Sequence, residues 1–189
     1  MDPFTAFLDS NVLYPSTLRD LLMRLALRGL FRAKWSDDVH EEWIQAVLRD
    51  YPDITRDQLE RTRALMDRHS EDSLVTGYQP LTDGLQLPDP NDRHVLAAAI
   101  CARADVIVTG NLKHFPQDNL DPFDIEAQHP DMFIGHLVDL YSGEVVAAAQ
   151  EHRASLNNPP KDVDAYLDSL ERAGLTHVTA ALRKYASEL

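Results

Sequence analysis

The 189-residue sequence predicts an α/β domain with a mainly parallel central sheet, followed by an all-helical C-terminal extension. Three observations predict it. Two short runs, residues 4–8 and 106–109, are almost continuously apolar, as strands covered on both faces of a parallel sheet are. Apolar stripes of helical period alternate with further strand-like runs, in the order β-α-β-α-α-(β)-α-β. After Pro122 the composition shifts, and residues 131–189 hold helical stretches without a convincing strand. The expected division is an α/β domain over 1–125 and a helical extension over 126–189.

Each element has its own signal. Phe4-Thr5-Ala6-Phe7-Leu8 is short and β-like, and it ends at Asp9-Ser10-Asn11. Leu18, Leu21, Leu22 and Leu25 fall on one helical face over 17–28, with Gly29 as a stop. Phe31, Ala33 and Trp35 alternate with Arg32 and Lys34, as a half-buried strand does. Ser36 caps the next helix, whose core stripe is Val39, Trp43, Ala46 and Val47 and which Tyr51-Pro52 ends. Thr55 and Gln58 form a capping box for a helix reaching about His69. Residues 72–90 read as a loop with one strand near 74–78. Asp89-Pro90 opens a helix buried through Val95, Leu96, Ala99 and Ile100. In the extension, Asn157-Asn158-Pro159-Pro160 is a break. Val163, Tyr166, Leu167 and Leu170 mark one helix; Val178, Ala181, Leu182 and Tyr185 mark the last.

Composition narrows the class. No run of about 18 apolar residues is present, so no membrane span is expected. The N-terminus lacks the basic and apolar regions of a signal peptide. Cys101 is the sole cysteine, which suits a cytoplasmic protein. The formal charge of −13 argues against tight non-specific binding to nucleic acid. It leaves room for a nuclease whose carboxylates hold cations, and it suits a basic protein partner.

Four acidic or amide residues carry the functional signal: Asp9, Glu42, Asp92 and Asn111. They fall at the ends of expected strands or the openings of expected helices, and in an open α/β sheet such positions converge on one crevice. Carboxylates gathered there repel unless a hard cation such as Mg²⁺ or Mn²⁺ holds them. That points to metal-assisted phosphodiester hydrolysis. Each residue also has a plain structural reading. Asp9, Ser10 and Asn11 all favour turns, and Ser10 and Asn11 serve either phosphate and metal waters or the loop backbone. Glu42 borders the buried face of its helix, whereas Glu41 points to solvent. Asp89 fits a helix cap or an outer-shell role, with Asp92 favoured as the ligand. His94 reads as a general base, a phosphate contact or, in preference to either, a surface histidine. Thr109-Gly110-Asn111 follows the last strand; Asn111 is either a neutral oxygen ligand or a turn residue, and Lys113 and His114 are within reach of a phosphate. Arg24 and Arg28 share a helix face that suits either RNA or solvent. Met23, Met66 and Met132 read as core.

Four segments together resemble a PIN domain. They are Phe7-Leu8-Asp9-Ser10-Asn11-Val12-Leu13; the stretch 36–42; Leu87-Pro88-Asp89-Pro90-Asn91-Asp92-Arg93-His94-Val95-Leu96-Ala97-Ala98-Ala99; and Val106-Ile107-Val108-Thr109-Gly110-Asn111-Leu112-Lys113-His114-Phe115-Pro116. The resemblance covers roughly residues 4–125 and is nearest to VapC-type toxins of type II toxin–antitoxin modules. Within these it points to the subgroup with a helical C-terminal extension. It implies a three-layer α/β/α fold and a Mg²⁺- or Mn²⁺-dependent endoribonuclease, held inactive by a cognate antitoxin. It further implies a homodimer. Asp9, Glu42 and Asp92 carry over as metal ligands. The family's fourth acidic position corresponds to Asn111, a departure that removes a charge, with Asp89 or Asp118 as candidates to compensate. Ser10, Asn11, Asp89, Thr109 and His114 are supporting or substrate-binding candidates. Three alternatives stand beside this reading: a housekeeping RNA-processing nuclease, a degenerate PIN domain that binds RNA or protein, and a phosphatase-like hydrolase.

Overall fold

The computed structural model describes residues 3–69 and 72–189. The chain opens with β1 (Thr5–Leu8), buried at all four positions. Next come α1 (Ser10–Leu13), α2 (Ser16–Leu27), β2 (Arg32–Ser36), α3 (Asp37–Asp50) and α4 (Arg56–His69). A two-residue strand, β3 (Leu74–Val75), and a single turn, α5 (Gln79–Thr82), lie in the expected loop. A 3₁₀ turn, Pro90–Asp92, leads into α6 (Arg93–Cys101), then β4 (Val106–Val108). After α7 (Gln117–Leu120) and β5 (Glu126–Gln128) come α8 (Pro130–Ser155), α9 (Val163–Arg172) and α10 (Thr176–Leu182).

The strands form one sheet in the order β3-β2-β1-β4-β5, and every pairing is parallel. The chain runs outward from β1 through β2 to β3, then crosses back to lay β4 on the other side of β1. The order therefore reverses between β1 and β4, and the C-terminal ends of these two strands open the crevice where open α/β sheets place ligands. Both central strands carry apolar side chains on both faces, with Ala6, Phe7, Leu8, Ile107 and Val108 buried.

Two differences from expectation have local causes. β5 falls inside the stretch expected to be all helical. Its Glu-Ala-Gln sequence has one apolar residue and an exposed-to-intermediate burial pattern, so no periodicity betrays it. Only its pairing with Val106–Val108 makes it a strand. The helix expected from Asp89-Pro90 begins instead as a 3₁₀ turn. Asp89 caps that turn by accepting from the Asn91 N–H at 2.9 Å, and Asp92 becomes the residue before α6.

The chain divides into two compact units. One runs up to Tyr14 and resumes over Phe31–His129; the other combines Pro15–Leu30 with Pro130–Leu189. A single cut at 125/126 therefore differs from the compact units, because α2 belongs with the C-terminal helices.

In the first unit, helix starts are fixed by side chains. The Ser36 hydroxyl accepts from the Val39 N–H at 3.2 Å. Thr55 and Gln58 bond reciprocally as the capping box predicts. Behind α3, the Trp43 indole N–H donates to His40 Nδ1 at 3.0 Å. That fixes the His40 proton on Nε2, which donates to Asp67 Oδ1 at 3.0 Å; the Trp35 indole N–H reaches the same oxygen at 2.7 Å. Burial holds the His40 imidazole below its ordinary range, and the Asp67 bond only partly offsets this.

In the second unit, α2 and α10 pack on α8, whose buried residues include Phe133, Ile134, Leu137, Val145 and Ala149. By length and composition alone α8 would suit a membrane span. It is interrupted at Tyr141 (φ −140°, ψ 46°), and its buried face serves the core of this unit. Arg28 pairs with Glu144 and Glu151 of α8, and Arg24 approaches Glu151 at 3.9 Å. These arginines thus have carboxylate partners within the chain instead of a purely solvated face. Met66 is core as expected and Met23 is half-buried, but Met132 is exposed. His152 is buried, its Nδ1 3.1 Å from the Tyr166 hydroxyl.

Two outcomes follow from these networks. Asp67→Ala strands two buried donors, those of Trp35 and His40, and should lower unfolding free energy by about 2–4 kcal/mol in urea titrations. Burial, with the positive charges of Arg24 and Lys161, pushes the His152 imidazole down from 6.5 to about 4. Below pH 6.5 the unfolded chain takes up a proton that the folded chain refuses, so stability is lost as pH falls toward 4. The loss approaches about 3 kcal/mol. Comparing the pH dependence of unfolding for wild type and His152→Gln checks it, because the variant lacks this contribution.

Candidate active site

The site is built at the switch point. Asp9 immediately follows β1, and its N–H continues the ladder by donating to the Val108 carbonyl at 3.1 Å. Thr109 follows β4 and continues that strand's ladder to Gln128 at 3.0 Å. The two residues are side by side because β1 and β4 are paired in register, Leu8 opposite Val108. Thr109 Oγ1 donates to Asp9 Oδ2 at 2.8 Å and accepts from Asn11 Nδ2 at 3.1 Å. Asn11 Nδ2 also reaches Asp9 Oδ2 at 2.6 Å, and the Ser10 N–H donates to Asp9 Oδ1 at 2.7 Å.

Asn11 bridges the two strand ends. Its Oδ1 accepts from the Gly110 N–H at 2.7 Å. A Cβ at position 110 would meet that oxygen at 3.3 Å, so glycine allows the close approach. The Asn111 N–H closes the turn onto Thr109 Oγ1 at 3.0 Å. Asp9 is only 4% exposed. Burial raises its proton affinity. The Thr109 and Ser10 hydrogen bonds oppose that rise, and the negative charges of Glu42 and Asp92 add to it.

Two helices bring the other carboxylates. Glu42 lies early in α3 and meets His94, early in α6, with Oε1 2.6 Å from Nε2. Burial lowers His94, but its bond to Glu42 and the charges of Asp38 and Asp9 outweigh burial and leave its pKa raised. His94 is thus a partner of the site rather than the surface histidine its sequence context suggested; its side chain is 15% exposed. Glu41 is not simply solvated either. Hydrogen bonds from Arg56 and Gln45 hold its carboxyl at about 2. Asp92 Oδ2 lies 2.9 Å from His114 Nδ1. Burial raises the Asp92 pKa, against the opposing His114 contact, and the charges of Asp89 and Glu42 raise it further.

The arrangement separates the sequence candidates. Asp9, Ser10, Asn11 and Thr109 form one hydrogen-bonded cluster. Glu42 and Asp92 stand close enough to raise the Asp9 pKa. Asp89, Asp92 and His114 each offer one ligand atom within 4.8 Å of one another. Asp9 and Glu42 lie outside that group, and Asn111 and Asp118 are exposed. His114 and His94 are the residues undervalued in sequence. The i+3 spacing from Asn111 to His114 across one tight turn was the available signal for the first. An open groove of about 900 Å³ runs beside Glu42 and His94, lined also by Asp38, Glu41, Arg49 and Asn91.

This donor set fits a hard divalent cation. Neighbouring carboxylates add to the raised proton affinity of Asp9 and of Asp92, oxygen donors predominate, and a cation would relieve the repulsion.

Comparison with known proteins agrees with this geometry. Residues 5–113 match the PIN domain, and residues 130–184 match the VapC50 C-terminal domain. Over 79 residues, 42% of the chain, the sequence is 48% identical to a Mycobacterium tuberculosis (strain ATCC 25618 / H37Rv) protein named "Putative ribonuclease VapC50". The match spans 47% of that protein, about half its length. No solved structure matches the chain. The PIN match covers more than half of the chain and takes in Asp9, Glu42, Asp92 and Asn111; the chain belongs to the PIN-domain family and carries a VapC50-type C-terminal domain.

Proposed function

We propose that this chain is a Mg²⁺- or Mn²⁺-dependent endoribonuclease, the toxin of a type II toxin–antitoxin module, inhibited by a cognate antitoxin. The observation that carries the reading is the buried Asp9 carboxylate, locked at the β1/β4 switch point with Glu42 and Asp92 in electrostatic reach. The similarity to the M. tuberculosis protein supports RNA as the substrate. The charge of −13 suits a basic antitoxin. Homodimerisation and a cytoplasmic location are further parts of the proposal.

The chain's own residues have distinct tasks. Asp9, Glu42 and Asp92 hold the cation. A divalent cation held there would supply Lewis-acid chemistry, making water a better nucleophile near neutral pH and offsetting phosphate charge. Thr109 and Asn11 fix both the position and the ionisation of Asp9. His94 orients Glu42 through Oε1 and leaves Oε2 for the site. Ser10 and Asn111 border the opening and are suited to phosphate oxygens or ordered water. The groove beside Glu42 is proposed to receive the strand next to the scissile bond.

Three measurements test this. Purified protein should cut cellular RNA into discrete fragments with Mn²⁺ or Mg²⁺, and not with EDTA or as Asp9→Asn. Thr109→Val should keep the fold but lower cleavage about 10- to 100-fold, because a partner that orients a ligand is lost. Expression without an antitoxin should arrest growth in wild type only. Intact RNA under every metal condition, with free growth on expression, would contradict the proposal.

A further inference from the structure

His114 is not among the three carboxylates taken as metal ligands, yet it is the residue hydrogen-bonded to Asp92. His114 Nδ1 sits 2.9 Å from Asp92 Oδ2. This is a hydrogen-bond distance, and it is also about the roughly 3 Å spacing of neighbouring ligands on one cation, so Nδ1 can exchange the hydrogen bond for a metal bond with little movement. Asp89 completes the group within 4.8 Å, while its other function, capping Asn91, uses Oδ1 alone. The His114 side chain is 28% exposed, which leaves the ring able to carry its proton on Nε2 when Nδ1 is a ligand.

The backbone supports this placement. Phe115 is buried and its N–H bonds to the Leu112 carbonyl at 3.0 Å; the His114 N–H bonds to Asn111 at 2.9 Å. The turn carrying His114 is therefore anchored on both sides of the histidine. His94 cannot substitute, because its Nε2 is engaged by Glu42 and its Nδ1 is buried.

We propose that His114 is a direct nitrogen ligand of the divalent cation beside Asp92 and Asp89, so that this site selects Mn²⁺ over Mg²⁺. The inference rests on the cation-dependent reading above and adds a nitrogen ligand on the Asp92 side of the site. Its chemistry is that of donor hardness. Mg²⁺ prefers an all-oxygen shell and keeps its waters, whereas imidazole suits first-row transition ions. A histidine in the shell therefore penalises Mg²⁺ selectively. No net charge is added, since a neutral imidazole replaces a water and only its proton changes nitrogen.

The test uses full-length protein and the two metals alone. Pulsed electron paramagnetic resonance on Mn²⁺-loaded protein should show coupling to a directly bound nitrogen. The coupling should vanish in His114→Asp and persist in His94→Gln. Calorimetric titrations should show the Mn²⁺-over-Mg²⁺ preference falling about tenfold in His114→Asp, with the Asp variant still binding both ions. Mn²⁺ bound without nitrogen coupling, or an unchanged preference in His114→Asp, overturns the role of His114 while leaving the cation reading intact. Wild-type protein that binds Mn²⁺ no better than Asp9→Asn overturns both. Because 114 is in a surface turn, His114→Asp is expected to melt like wild type, which a thermal scan checks.

Discussion

A carboxylate buried at the point where a parallel sheet reverses its strand order is the constraint on which the rest depends. Removing an ionised carboxylate from water costs several kcal/mol unless hydrogen bonds or opposite charge compensate. Asp9 receives bonds from Ser10, Asn11 and Thr109, yet its proton affinity remains raised, chiefly because it is buried and in smaller part because Glu42 and Asp92 add negative charge. Local hydrogen bonding alone therefore leaves the cluster under-compensated. A bound cation is the natural remaining term, and stability is thereby traded for a site poised to take one.

The surrounding architecture follows from holding those groups in place. β1 and β4 must be in register for Thr109 to reach Asp9, and glycine at 110 is needed for Asn11 to span the two strand ends. α3 starts at Ser36 and brings Glu42 round within its first turns. The 3₁₀ turn capped by Asp89 delays the start of α6 and leaves Asp92 at its mouth, beside His114. Each carboxylate beyond Asp9 thus has a histidine partner, Glu42 with His94 and Asp92 with His114. The Glu42–His94 contact orients its carboxylate.

Much of this was legible in the sequence, for identifiable reasons. β1 and β4 announced themselves because strands buried on both faces are continuously apolar. The capping residues Ser36, Thr55 and Asp89 act within three residues of the chain, so local rules found them. What escaped depends on distant pairing. β5 is a strand only because Val106–Val108 is next to it. The membership of α2 with the C-terminal helices is decided by packing across more than a hundred residues. The pairing of His94 with Glu42 and of His114 with Asp92 was not legible because the partners are 52 and 22 residues away in the chain. Asn111 drew attention through a motif position; the residue is exposed, and its N–H joins the cluster through Thr109 Oγ1.

The most direct measurement is a crystal structure of the protein soaked in Mn²⁺, with anomalous scattering recorded. The predicted result is a peak in the crevice at the ends of β1 and β4, within bonding distance of Asp9, Glu42 or Asp92. An ordered crevice without a peak at millimolar Mn²⁺, its carboxylates unmoved, would contradict the claim that these residues are gathered to hold a cation.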